Sequence, residues 1–142
     1  MKHSTSVDDE LFRDAFASGT ITPDQFDHRA HVRLAYILLV AEDIDAATVG
    51  MRSVLLAFMG HHGVDPVKYH ETITRAWILA VRHFMDRTSD TASADEFIEA
   101  NPILLDSKIM LTHYSASLLF SPEARAAFVE PDIQPIPLKI EN

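Results

Sequence analysis

"QFDHRAHVRLAYILL", residues 25–39, sets His28 and His31 three apart at the entrance to an apolar run, and its periodicity decides the fold. His28, His31, Ala35 and Leu38 recur at the i, i+3, i+4 spacing of one helical face, with Leu34 beside them. Arg29 and Arg33 fall on another face and are expected in solvent. "KYHETITRAWILAVRHF", residues 68–84, repeats the arrangement, with His70, Ile73, Trp77, Val81 and Phe84 as its stripe. Two long helices therefore each carry imidazole near the N-terminal end of an inward face. For those ends to meet, the two helices must run parallel, with the helix between them running the other way.

Helix starts are marked by a capping residue followed by proline at Thr22-Pro23, Asp65-Pro66, Asn101-Pro102 and Ser121-Pro122. The cap oxygen accepts a bond from a free helix N–H, and proline suits a first position where no donor is needed. Helices are predicted near 6–18 (ended by Gly19), 23–41, 46–62 (Asp45 as cap, Gly63 as stop) and 66–87. Shorter ones are predicted near 93–100, 102–114 and 121–129. No sustained period-2 alternation and no Asn-Gly or Asp-Gly turn argues for strands. The expected fold is all-α: one domain over 1–130 with a four-helix centre and short C-terminal helices, then an extended, proline-rich tail over 131–142.

Composition narrows the chemistry. A chain of 142 residues, 47% hydrophobic, has the size of one domain with one core. No apolar run approaches the roughly 18–20 residues that span a bilayer. The start "MKHSTSVDDELF" lacks the apolar stretch of a secretion signal, so a cytoplasmic location is expected. With 21 acidic and 12 basic residues the formal charge is −9, and no Lys/Arg cluster interrupts it, so neither nucleic acid nor anionic membrane is an expected partner. Cysteine is absent, which removes disulfides, thiol catalysis and thiolate ligation together. No Gly-rich phosphate loop and no G-x-S-x-G elbow is present.

The histidines carry what chemistry remains. A buried imidazole left without partners costs roughly 1–3 kcal/mol, so three in one core must bond to something. One answer is a divalent transition metal (Zn, Fe, Ni or Cu) held by His28, His31 and His70, with a coordination position left open for catalysis. The other is that His28 and His31 sit at a helix entrance and bond to backbone or to Asp24 or Asp27. Tyr69, Glu71 and Thr74 are the nearest candidates for substrate contact or proton transfer, although Glu71 also has Arg75 four residues on as a surface partner. His61 and His62 read as helix-end residues, His83 as exposed, His113 as a remote candidate to close a cavity, and His3 as part of a loose terminus.

Taken together, "FDHRAHVRLAYILL", "KYHETITRAWI", "FIEANPILLDSKIML" and "LLFSPEARAAFVEPD" resemble a family of small all-helical proteins of unassigned function, over most of residues 26–132. That resemblance implies one helical domain and carries no ligand set. A looser likeness, to metal-binding four-helix proteins of the DinB type, lies in drawing three histidines from different helices. There the close pair comes late and four apart; here it comes first and three apart, so the likeness is one of chemistry.

Three functions follow from these residues. The first is a metal-dependent enzyme or enzyme-like domain acting on a small molecule. The second is a metal-free pocket for a small anionic ligand, with Arg33 or Arg75 as donors and Trp77 and Phe58 as its apolar wall. The third is an interaction module, with a homodimer as one form, whose histidines are only local caps.

Overall fold

A computed structural model describes residues 2–136 as an all-α bundle; the end of the predicted tail, residues 137–142, lies outside them. The helices are α1 (Val7–Ser18), α2 (His28–Ala41), α3 (Ile44–His61), α4 (Glu71–Asp86), α5 (Ala94–Ala100), α6 (Ala116–Leu119) and α7 (Pro122–Ala126). Single 3₁₀ turns lie at Pro23–Gln25, Pro66–Lys68, Pro102–Leu105 and Ile109–Thr112. No helix among the described residues is long and apolar enough to cross a membrane.

The capping prolines mark real boundaries but often start a 3₁₀ turn, not the helix itself. Pro23 and Pro66 each open such a turn, and the α-helix begins only after a second cap, Asp27 for α2 and His70 for α4. Helix α3 is capped by Asp43, whose carboxylate accepts from the Ala46 N–H at 2.8 Å; Asp45 sits in its first turn. The single helix predicted over 102–114 is two 3₁₀ turns, and α6 is an additional short helix capped by Ser115. Helix α1 follows its sequence signals closely. Ser6 and Asp9 form a reciprocal capping box, and Gly19 ends the helix at φ 77°, where a side chain would be strained. A Cβ there would also lie 3.0 Å from the His61 ring, so the ends of α1 and α3 touch only because residue 19 is glycine.

Helix α2 is the centre of the bundle. Its buried positions run almost all the way round, from Val32 and Leu34 through Tyr36 and Ile37 to Leu38 and Leu39, and α1, α3, α4 and α5 all pack on it. His28 at its start meets Trp77 of α4, and Leu39 near its end meets Arg82, so α2 and α4 run parallel as expected. Helix α3 runs antiparallel to α4, pairing Arg52 with Glu71 and Asp45 with Arg75.

Two polar clasps hold outlying segments to this centre. Asp9, 1% exposed, accepts from the Ser6 N–H, the Ala94 N–H and the Arg33 guanidinium, joining α1, α2 and α5. Arg33 is thus drawn inward, against expectation, and its guanidinium lies 4.3 Å from the centre of the Phe12 ring. The N-terminal segment is likewise not loose. His3 donates from Nε2 to the Met85 carbonyl at 2.7 Å, pairs through a single parallel bridge with Thr91, and lies beside Ser4, whose carbonyl accepts from the Tyr36 hydroxyl. The tail as far as residue 136 also packs: Asp132 accepts from the Ser115 N–H and hydroxyl, and Ile136 reaches the core.

Burial alone would push the Asp9 carboxyl up, but the Ala94 and Ser6 N–H groups and the Arg33 guanidinium outweigh it and hold it below the ordinary value. A depressed carboxylate stabilises above its unfolded-state value and loses that contribution as pH falls through the folded one. Asp9→Ala is therefore expected to cost about 3 kcal/mol in urea unfolding at about pH 7. The gap to the unsubstituted protein should narrow at about pH 3.

Candidate functional site

The interior face between α2, α3 and the start of α4 does not close completely. It leaves a cleft of about 290 Å³ floored by Phe26, Phe58, Leu55 and Ile73, with Met59 and Val64 at one end. His31, Lys68, Tyr69, His70 and Thr74 supply its polar wall. Local sequence explains the gap. Gly63, at φ 67°, turns the chain out of α3, and Pro66 then starts a 3₁₀ turn, so residues 64–70 form an irregular segment from which Val64, Lys68, Tyr69 and His70 line the cleft. Phe58, Phe26 and Phe16 pack ring to ring beneath it, at centroid separations of 5.0–5.8 Å.

His70 is committed twice. It occupies the cap position of α4, where its Nδ1 accepts the Ile73 N–H at 3.1 Å, and its Nε2–H donates to the Leu119 carbonyl at 2.7 Å. A ring that accepts at one nitrogen and donates at the other is a neutral imidazole of fixed tautomer. Burial depresses its basicity, and the nearby positive charge of Arg125 adds to that, against the opposing pull of the Leu119 carbonyl. His28 donates from Nε2 to the Leu104 carbonyl at 2.8 Å and packs against Trp77 at a 4.5 Å centroid distance. It is not part of the cleft wall.

His31 differs from both. Its Nε2 is sealed from solvent and has no hydrogen-bond partner. Burial, reinforced by neighbouring His28, holds the ring neutral down to about pH 4.

The expected three-histidine metal site is therefore not assembled. His70 has no free lone pair, His28 keeps only Nδ1, and the His28 and His31 rings stand 6.4 Å apart, edge to face. Among the described residues no three His, Asp or Glu side chains converge to hold an ion. The reason lies in the helix starts. The periodicity predicts a stripe continuous through His70, whereas His70 is the cap of α4 and turns its ring to backbone.

The second group of candidates is better gathered. Tyr69 donates to Glu71 Oε1 at 2.7 Å, and Arg52 grips both carboxylate oxygens, with Nε at 2.9 Å from Oε1. Glu71 is thus partnered by Arg52 across the helix interface, not by Arg75, which reaches Asp45 at 3.1 Å. The Arg52 bonds, then Tyr69, hold the Glu71 carboxyl below its usual value despite partial burial. Burial and the Glu71 acceptor push the Tyr69 phenol up to about 12. Tyr69 is therefore a fixed donor and not a base. Thr74 lines the cleft while its hydroxyl donates back to the His70 carbonyl at 2.8 Å.

Of the expected apolar wall, Phe58 lines this cleft and Trp77 does not; of the expected donors, Arg75 is absent from it and Arg33 lines a separate groove with Phe12 and Asp95. Arg52, Leu55 and Met59 went unread, although their i, i+3, i+7 spacing puts them on one face of α3. His62 donates to the Ile21 carbonyl and His113, 1% exposed, to the Gln134 carbonyl, so neither enters the site. His83, expected in solvent, instead has a sealed and unpartnered Nε2 near Arg87.

The chain matches no protein-family model, no curated protein and no solved structure.

A histidine whose folded value lies below its unfolded value of about 6.5 leaves the unfolded chain binding the extra proton between the two. Stability should then fall on acidification from about pH 6.5 to about pH 4. His31→Gln should flatten that part of the urea-unfolding profile. The His31 ring protons, followed by NMR, should titrate only near pH 4.

Proposed function

We propose that the protein binds a small, largely apolar organic molecule in the cleft beside residues 64–70, without a metal. The observation that carries this reading is that His31, whose Nε2 has no hydrogen-bond partner, belongs to the polar side of a cleft floored by Phe26, Phe58, Leu55 and Ile73. A polar atom left in that state is costly, roughly 1–3 kcal/mol, and a ligand hydroxyl or carbonyl that the His31 ring turns to meet recovers the loss. Neutral imidazole suits either partner, because the proton can reside on whichever nitrogen the ligand requires.

The cleft lies at the small end of the roughly 300–1,000 Å³ typical of ligand sites, which favours a compact ring or a short branched chain. Phe26 and Phe58 offer edges and faces to an aromatic body. Tyr69 is held by a carboxylate already paired with Arg52, and Glu71 is ionised and spoken for. Tyr69 and Glu71 are thus committed to each other and to Arg52, which supports binding over proton transfer by either group.

The test uses p-cresol, indole and 1-naphthol as probes of a ring with one polar atom. Titration of at least one should shift the His31 ring protons in NMR and release heat in calorimetry. Leu55→Trp, which fills the cleft, should abolish both effects while the far-ultraviolet spectrum stays helical. Absence of any His31 shift with all of these probes at millimolar concentration would overturn the reading.

A further inference from the structure

The cleft has a neighbour. On the far side of Tyr69 a second groove, of about 360 Å³, runs between the Pro66–Lys68 turn and α7, lined by Pro66, Val67, Pro122, Arg125 and Ala126. Tyr69 belongs to both walls. One ring, latched by its hydroxyl to Glu71, is thus the partition between two largely apolar spaces.

The outer groove contains a charge that forms no ion pair among the described residues. The ion pairs among the described residues engage Arg29, Arg33, Arg52, Arg75 and Arg82; Arg125 is in none of them. Its side chain is half-buried among proline, valine and alanine, and its field is felt at His70. A guanidinium in such a place is weakly hydrated and presents parallel N–H donors that match a carboxylate. Lys68, the other cation nearby, is exposed at the inner rim and keeps its water.

We infer that the two spaces form one bipartite site for an amphiphilic carboxylate, its head group on Arg125 and its apolar body passing Tyr69 towards His31. This rests on the binding reading above and adds the ligand class and the anchoring residue. The overall charge of −9 makes a lone inward cation the more selective feature for a monoanion.

Matched probes separate the two ideas. Octanoate and octan-1-ol, titrated calorimetrically at equal ionic strength, share an apolar chain and differ in charge. Octanoate is expected to bind roughly tenfold or more tightly than the alcohol, as a charge-assisted bond to arginine implies. Arg125→Gln should remove that difference and leave octan-1-ol unchanged; Arg125→Lys should restore part of it, and Lys68→Gln should leave it intact. If the alcohol binds as well as the acid, or Lys68→Gln abolishes the preference, the Arg125 anchor is wrong while the cleft reading stands. If neither probe binds, the bipartite site is overturned, and the aromatic probes decide the cleft reading by themselves.

Discussion

His70 spends both ring nitrogens on backbone, and that double commitment governs the region around it. One bond starts α4, and the other ties that start to the end of α6, forty-nine residues further along the chain. A helix cap and a tertiary staple are thus the same side chain. Protonation at Nδ1 would remove the cap, so the arrangement exists only for the neutral ring. The residue before it, Tyr69, is in extended backbone and lines both the cleft and the outer groove.

The same device recurs. His3 donates to the Met85 carbonyl, His28 to Leu104, His62 to Ile21 and His113 to Gln134. Each carbonyl lies at a helix end, in a turn or in irregular chain. A chain without disulfides, with much of its C-terminal third in 3₁₀ turns and four- or five-residue helices, is pinned by imidazoles bridging to distant carbonyls. Set against that pattern, His31 and His83 are the exceptions, and of the two only His31 lines the cleft. Its Nε2 is as enclosed as theirs and has nothing to bond.

Much of this was legible in the residues. The periodicity behind His28 and His70 points to the two parallel helices, although the expected starts at 23 and 66 precede the observed ones at His28 and Glu71, and Gly19 and Ser121 mark the end of α1 and the start of α7. Tyr69, Thr74, His31 and His70 do share one cleft wall. What one-dimensional spacing could not supply was the occupancy of each nitrogen. Histidines on an inward stripe look alike whether they meet a metal, a ligand or a carbonyl, and the carbonyls in question are 76 and 49 residues away. Arg52 was missed for a related reason: its match to Glu71 needs the antiparallel register of α3 against α4, which local pattern does not contain. Arg33 was misplaced because Asp9, its partner, reads as an ordinary cap residue until α1 is laid against α2.

The partition between the two spaces has an energetic height that can be bounded. Swinging the Tyr69 ring aside breaks one hydrogen bond to an ionised carboxylate, worth about 1.5–3 kcal/mol net. Each additional methylene removed from water returns about 0.8 kcal/mol. Two to four such groups are therefore enough to hold the passage open. Chain length, and not shape, would then set which occupants see two short chambers and which see one long tunnel.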